Sequence, residues 1–172
     1  MIQVRLAGEH DLPAILVIYN DAIANTTAIF HYRAHTLEMR REWFEQKRAA
    51  GHPIFVAVTD GDVLGFATYG PFRAWPAYKY TIEHSVYTAP SSRRRGVARA
   101  LMQVVLEHAE RQEYHAVIAG IVADNDASLR LHESLGFVEV AHFREVGFKF
   151  GRWLDLKFLQ LLLPTPSRPI ES

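Results

Sequence analysis

Between Val86 and Leu101 the chain reads as a strand, a turn and a helix in direct succession. Val86-Tyr87-Thr88 closes a β-branched and aromatic run, Ala89-Pro90 turns it, Arg93-Arg94-Arg95 follows, and Gly96 leads into a helix. In that helix Val97, Leu101, Val104 and Val105 are apolar while Arg99, Gln103, Glu107 and Glu110 are polar, the rhythm of an amphipathic element. Beyond it, residues 115–122 form a nearly unbroken apolar run of the buried-strand type, so the junction opens a β-α-β unit. The junction also has a chemistry. The first N–H groups of a helix have no intrahelical partners, the helix dipole favours an anion there, and a glycine lets a ligand approach the backbone. By itself the stretch reads more readily as a solvated basic turn than as a binding site.

The rest of the chain supplies the frame around this unit. Residues 2–6 alternate as a short strand. A helix follows with Pro13 in its first turn and Leu12, Ile15, Leu16, Tyr19 and Ile23 as its stripe. Residues 28–36 have no helical period and read as an extended surface loop. His31 and His35 fall on different ridges of such a loop, which argues against a metal pair, and no metal is expected. A second helix spans residues 37–50. Residues 54–59 and 63–69 are strands joined by Asp60-Gly61-Asp62, a hairpin signal. Residues 70–78 form a loop rich in proline and aromatics, and residues 79–88 a fourth strand. Asp124-Asn125-Asp126 caps a helix that ends at Gly136, and residues 137–146 and 152–163 are further strands. The order β-α-α-β-β-β-α-β-α-β-β predicts an α/β (α+β) fold: a mixed, mostly antiparallel sheet of six to seven strands with helices on both faces. Residues 1–163 read as a single domain and 164–172 as a proline-rich flexible tail.

Composition narrows the function. The 172 residues carry 19 Lys and Arg against 19 Asp and Glu, so the three arginines are a local feature and no broad basic face for nucleic acid is expected. Cysteine is absent, which removes disulfides, thiolate metal sites and a cysteine nucleophile and fits a reducing compartment. No apolar run is long enough to span a membrane and the N-terminus is unlike a signal peptide, so a cytoplasmic protein is expected.

Three segments converge on the opening junction. They are Arg93-x-x-Gly96-x-Ala98 between strand and helix, Asn125-x-x-Ser128-x-x-Leu131-His132-Glu133-x-x-Gly136-Phe137 one strand later, and Thr81-Ile82-Glu83-His84-Ser85-Val86-Tyr87 before the turn. The first two, in this order and spacing, resemble the GNAT family of N-acetyltransferases, and the element order matches that family's fold over residues 1–163. Ile18-Tyr19-Asn20-Asp21 with Thr26-Thr27, Glu83 to Tyr87, Leu131-His132-Glu133 and Lys149-Phe150-Gly151-Arg152-Trp153-Leu154-Asp155 are similar to the phosphinothricin and methionine sulfoximine acetyltransferase branch. The resemblance implies transfer of acetyl from acetyl-coenzyme A to the amino group of a small amino-acid-like molecule, by direct attack. It also implies a homodimer. Protein N-terminal or lysine acetylation, and a non-catalytic coenzyme A-binding module, are the rival readings.

On that resemblance, Val86, Tyr87 and Thr88 offer backbone groups to the pantetheine amides. The amides of Arg94, Arg95, Gly96, Val97, Ala98 and Arg99 face the pyrophosphate, Arg93 attracts the 3′-phosphate, and Asn125 and Ser128 belong to the pantetheine side. Acetyl transfer needs a neutral amine, and an α-amino group with a pKa of ~7.7–8.0 loses its proton near neutrality at a cost of about 1 kcal/mol, so a nearby acceptor suffices. Glu83 is the candidate: a carboxylate in a β-branched and aromatic strand is costly to bury, and the branch places its base here. An ion pair is the structural alternative. His132 stands where many family members have a tyrosine acid, and reads either as the acid that protonates the leaving thiolate or as a packed histidine. Arg73 is the candidate for an acceptor carboxylate, with Arg33 and Arg152 as alternatives, the latter reaching a partner subunit. Phe30 and Trp75 suit the acceptor's apolar part, and Ala74, His84 and Ser85 complete the acceptor set. Regular alternation puts Thr81, Glu83, Ser85 and Tyr87 on one face of the strand and Ile82, His84 and Val86 on the other; a bulge would undo this.

Overall fold

The computed structural model describes residues 1–171. In chain order the elements are β1 (Gln3–Leu6), α1 (Leu12–Asn25), α2 (Leu37–Ala49), β2 (Ile54–Thr59), β3 (Asp62–Pro71), β4 (Thr81–Thr88), α3 (Val97–Arg111), β5 (Ala116–Val122), α4 (Asp126–Glu133), β6 (Val138–Lys149) and β7 (Arg152–Leu162). This is the order read from the sequence. The strands form a mixed, mostly antiparallel seven-stranded sheet in the order β1-β2-β3-β4-β5-β7-β6. The β4 and β5 strands pair in parallel, as a β-α-β crossover requires, with Glu83 opposite Ile118.

The chain divides into two compact units, Met1–Gly70 with Ser85–Glu107, and Pro71–His84 with the chain from His108 on. The division passes through β4, between His84 and Ser85. In the first unit, β1 and β2 pair antiparallel, as do β2 and β3. The β2–β3 connection is a two-residue turn at Asp60 and Gly61, both with positive φ, which matches the twist of the flanking strands. Leu12, Ile15 and Ile18 of α1 pack with Ile54, Val56, Val58 and Phe66 as its core. The buried stripe of α1 thus runs through Ile18 and Ala22, while Leu16 is only half-buried. Thr36 caps α2 by accepting the Met39 N–H at 3.2 Å.

In the second unit, β5 pairs antiparallel with β7, and β7 with β6. Two sequence expectations change here. First, β4 begins at Thr81 rather than residue 79, because Pro76–Tyr78 forms a 3-10 turn whose Pro76 carbonyl accepts the Lys79 N–H at 3.0 Å. Second, β6 runs past residue 146 to Lys149. Phe150 and Gly151, both at positive φ, make the tight turn that sets Lys149 opposite Arg152, so the segment from Lys149 to Asp155 is a hairpin. The proline-rich tail makes hydrogen bonds with this unit. Thr165 Oγ1 donates to the Tyr114 carbonyl at 2.6 Å, His115 Nδ1 donates to the Thr165 carbonyl at 2.9 Å, and the Ile170 N–H donates to the Tyr80 hydroxyl at 3.1 Å.

Candidate active site

The arginine turn belongs to the first unit. Pro90–Ser92 makes a 3-10 turn with Ser92 buried, Arg93 is extended, and Arg94 and Gly96 take φ of 60° and 81°. Left-handed residues interspersed in a turn bring successive N–H groups towards one side, an anion-binding concavity. Gly96 adopts this conformation without strain, whereas Arg94 holds it at a cost. The first bond of α3 runs from the Ala100 N–H to the Gly96 carbonyl at 3.0 Å, so the N–H groups of Val97 and Ala98 precede the helical ladder. Arg93, Arg94, Arg95 and Arg99 are exposed, and Arg93 Nη2 lies 3.8 Å from Asp21 Oδ2 of α1. These groups fit a pyrophosphate. The Val86, Tyr87 and Thr88 side chains are half-buried; the Tyr87 ring packs on Phe66 (5.3 Å) and edge-on to Tyr19 (5.8 Å), which leaves backbone as its contribution to a ligand.

The same unit fixes the segment between α1 and α2. Asn20 Nδ2 donates to the His35 carbonyl at 2.9 Å, and Asn20 Oδ1 accepts the His35 N–H at 2.8 Å. Arg40, 5% exposed, lies over the Tyr19 ring at 4.2 Å and the Trp43 ring at 4.7 Å, and its Nη2 donates to His35 Nδ1 at 2.9 Å. Burial lowers the pKa of His35, and the Arg40 and His31 charges lower it further, so the ring is a neutral acceptor. Between these anchors Ile29 is buried against Ala22 and Ile23, while Phe30 and Arg33 are exposed. The sequence marked Tyr19-Asn20 only as a motif; the double bond from Asn20 to one residue's main chain is what the motif does.

Glu83 and the aromatic loop lie in the second unit. Glu83 is half-buried, and burial raises its pKa while the Arg73 charge pulls it down. Arg73, Ala74 and Trp75 are exposed; Arg73 Nη1 donates to the Phe72 carbonyl at 2.8 Å and its guanidinium lies 4.1 Å over the Phe72 ring. Phe72 is edge-on to both Tyr78 (5.7 Å) and Phe158 (6.0 Å), and Phe158 to Phe143 (5.3 Å). The structure therefore brings Glu83 and Arg73 within electrostatic reach, in an aromatic setting. Phe158 and Gly120 were passed over in the sequence as parts of apolar strands, although a glycine inside a buried strand is itself a signal of close approach.

His84 occupies the other face of β4, with Ile82; burial alternates from Thr81 to His84. Its ring stacks on His132 (centroids 5.0 Å apart, 13° between planes), and Phe137 is edge-on to both. His132 is 1% exposed and His84 7%. His132 Nδ1 lies 2.7 Å from the Ser128 carbonyl, which only accepts, so that nitrogen carries the proton. His132 Nε2 then accepts from His84 Nε2 at 3.1 Å, and His84 Nδ1 is left a lone pair without a hydrogen-bond partner among the described residues. Burial lowers both pKa values, that of His84 to about 3, so both rings are neutral near pH 7. Asn125 Oδ1 caps α4 by accepting the Ser128 N–H at 3.2 Å. Arg152 Nη2 donates to Asp124 Oδ2 at 2.6 Å, an ion pair within the chain.

The acetyltransferase (GNAT) family model matches residues 18–137. An L-methionine sulfoximine/L-methionine sulfone acetyltransferase of Pseudomonas aeruginosa is 46% identical over 168 residues, 96% of this chain and 98% of that protein. Among solved structures, a GNAT-superfamily phosphinothricin acetyltransferase from Sinorhizobium meliloti in complex with acetyl-coenzyme A superposes with a TM-score of 0.94 at 29% identity, covering 98% of this chain and 92% of that one. A ribosomal-protein-alanine N-acetyltransferase from Brucella melitensis superposes with a TM-score of 0.92 at 46% identity, covering 94% and 99%.

Proposed function

The chain belongs to the GNAT family of acetyltransferases, and from that premise we propose how its residues divide the work. It is an acetyl-coenzyme A-dependent N-acetyltransferase whose acceptors are small amino-acid-like amines of the methionine sulfoximine, methionine sulfone and phosphinothricin type. One observation carries the assignment of the acceptor chemistry: a half-buried carboxylate, Glu83, with a raised pKa, beside the exposed Arg73. Glu83 takes the proton that the attacking nitrogen must lose. Arg73 pairs with the acceptor's carboxylate, whose fork matches a guanidinium. On the family resemblance, Phe30, Ala74, Trp75 and Ser85 are the further candidates for acceptor recognition.

The arginine turn and the open first turn of α3 hold the pyrophosphate of acetyl-coenzyme A, and the Val86, Tyr87 and Thr88 backbone pairs with the pantetheine as an added strand would. A β4 N–H steadies the thioester oxygen as the new C–N bond forms and the C–S bond breaks. With no cysteine in the chain, attack is direct. Both nitrogens of His132 are engaged inside the protein, so we assign it, with His84, to packing, and the leaving thiolate takes its proton from water. Asn125 uses Oδ1 for its cap and presents its amide nitrogen to the pantetheine; Ser128 supports His132.

The experiment is thiol release from acetyl-coenzyme A with methionine sulfoximine, methionine sulfone, phosphinothricin and a peptide beginning with alanine, all under one condition. Turnover of the amino-acid analogues supports the reading; turnover of the peptide alone supports the protein N-terminal alternative raised by the Brucella structure. We also propose a homodimer in the cytoplasm. Val138, Val140, Phe143, Val146 and Phe148 are exposed on β6, the strand at one end of the sheet order, with Trp153 exposed on β7, and a second copy would cover them. Sedimentation of the purified protein as a monomer would remove that part. No helix among the described residues is long and apolar enough to cross a membrane.

A further inference from the structure

Gly120 is the exposed position in an otherwise buried β5. The register sets Glu83 opposite Ile118 on one side and Gly120 opposite Phe158 on the other. By strand alternation, Glu83, Ile118, Gly120 and Phe158 share one face of the sheet. The Glu83 side chain does not stand over its own register partner; it leans two residues along β5. A Cβ placed on Gly120 would fall 3.1 Å from Glu83 Oε1 and 3.3 Å from Phe158 Cε1, tighter than side chains normally pack. The carboxylate therefore rests over bare main chain, bounded by an aromatic ring. A glycine weakens a strand interior, and close approach by another group is the physical reason to keep one there.

We propose that Gly120 is a positioning residue for Glu83: by leaving β5 without a side chain, it lets the carboxylate lie along the strand against Phe158, where it meets the acceptor's nitrogen. The inference rests on Glu83 being the proton acceptor. Few charges face this carboxylate. Arg73 approaches from the β3–β4 loop; β5 contributes Ile118 and Gly120, and β7 contributes Phe158, none of which titrates. His84 is on the opposite face of β4, and Lys157, next to Phe158 on β7, is paired with Glu139 at 2.9 Å. The apolar wall and the bare strand thus set the carboxylate's surroundings, with Arg73 as the opposing influence.

The test is a cycle of Gly120→Ala, Glu83→Gln and the double variant, with kcat and both KM values followed across pH. A methyl at position 120 obliges the carboxylate to give by a few tenths of an ångström. Gly120→Ala is expected to lower kcat about tenfold, since small displacements of a reacting group are costly. It is also expected to move the acid limb of the profile about half a unit to lower pH as burial is relieved, with the KM for acetyl-coenzyme A unchanged. In the Glu83→Gln background the same substitution is expected to change kcat by less than about twofold, because it acts through the group already removed. A wild-type profile in Gly120→Ala, or a loss that persists in full without Glu83, overturns the inference. If melting curves show Gly120→Ala unfolded, Phe158→Leu replaces it: it thins the apolar wall and must move the acid limb the same way, and an unmoved limb overturns the inference. A Glu83→Gln enzyme with the wild-type rate removes the base reading and this inference together. A slow Glu83→Gln with an unaffected Gly120→Ala removes this inference alone.

Discussion

Strand β4 carries two kinds of titratable group on its two faces, one residue apart. Glu83 is half-buried against an aromatic ring and a bare glycine, with Arg73 in electrostatic reach. His84 is sealed against His132, and its Nε2 proton is used inside the protein. Both faces displace pKa values, and burial is the leading cause on both. A shifted pKa alone therefore does not mark the reacting group. The carboxylate borders an exposed loop that can meet a ligand, whereas the histidines form a buried chain of hydrogen bonds that runs from His84 to the Ser128 carbonyl.

The comparison breaks most easily at Glu83. Glu83→Gln is expected to lower kcat/KM for an amino-acid acceptor by about 10²–10⁴-fold near neutral pH and to leave the acceptor amine as the one ionisation in the acid limb of the rate profile. The same variant should melt at a higher temperature than wild type above the Glu83 pKa. A raised carboxylate pKa stabilises the fold at low pH, and that contribution is lost as pH rises through it, so removing the charge helps on the alkaline side. An unchanged rate would place chemistry on some other group. Next in size, Arg73→Ala is expected to raise the acceptor KM by about ten- to a hundredfold, as for a lost charge-assisted pair, and to move the acid limb to higher pH, because the charge that lowers the Glu83 pKa is gone. Acetyl-coenzyme A binding by calorimetry should not change.

On the histidine face the expectation is stability in place of rate. His132→Gln removes the Nδ1–H donor to the Ser128 carbonyl and the ring stacked on His84, and is expected to cost about 2 kcal/mol of folding free energy in denaturant titrations. Its kcat should stay within about threefold of wild type. A hundredfold loss of kcat in folded protein would return His132 to the role of acid. The smallest effect is in pH. Both histidines are held neutral, so their contribution is complete above pH ~6.5 and is lost as pH falls towards the folded value of about 3 for His84. Wild-type melting temperature should decline over that window, and the decline should be shallower in His132→Gln.

The sequence carried the fold because its elements are strongly patterned. The β4-α3-β5 junction, the Asp60-Gly61 turn and the Asn125 cap all rest on local chemistry that needs no tertiary knowledge. It carried less of the site. That Glu83 and His84 alternate was legible as a condition, but whether a bulge intervened was a matter of three-dimensional pairing. The Phe150-Gly151 turn was missed because a phenylalanine is a poor signal for positive φ. Gly120 was hidden because an apolar strand reads the same whether its one missing side chain is incidental or makes room for a carboxylate.

Asn20 has a consequence for how such a protein changes over generations. Its amide grips only the main chain of His35, atoms that every amino acid shares. Exchanging Phe30, His31, Tyr32 or Arg33, all exposed, leaves both bonds in place. The segment is in effect a replaceable cassette with a fixed socket, so its exposed side chains can change one at a time without renegotiating the scaffold.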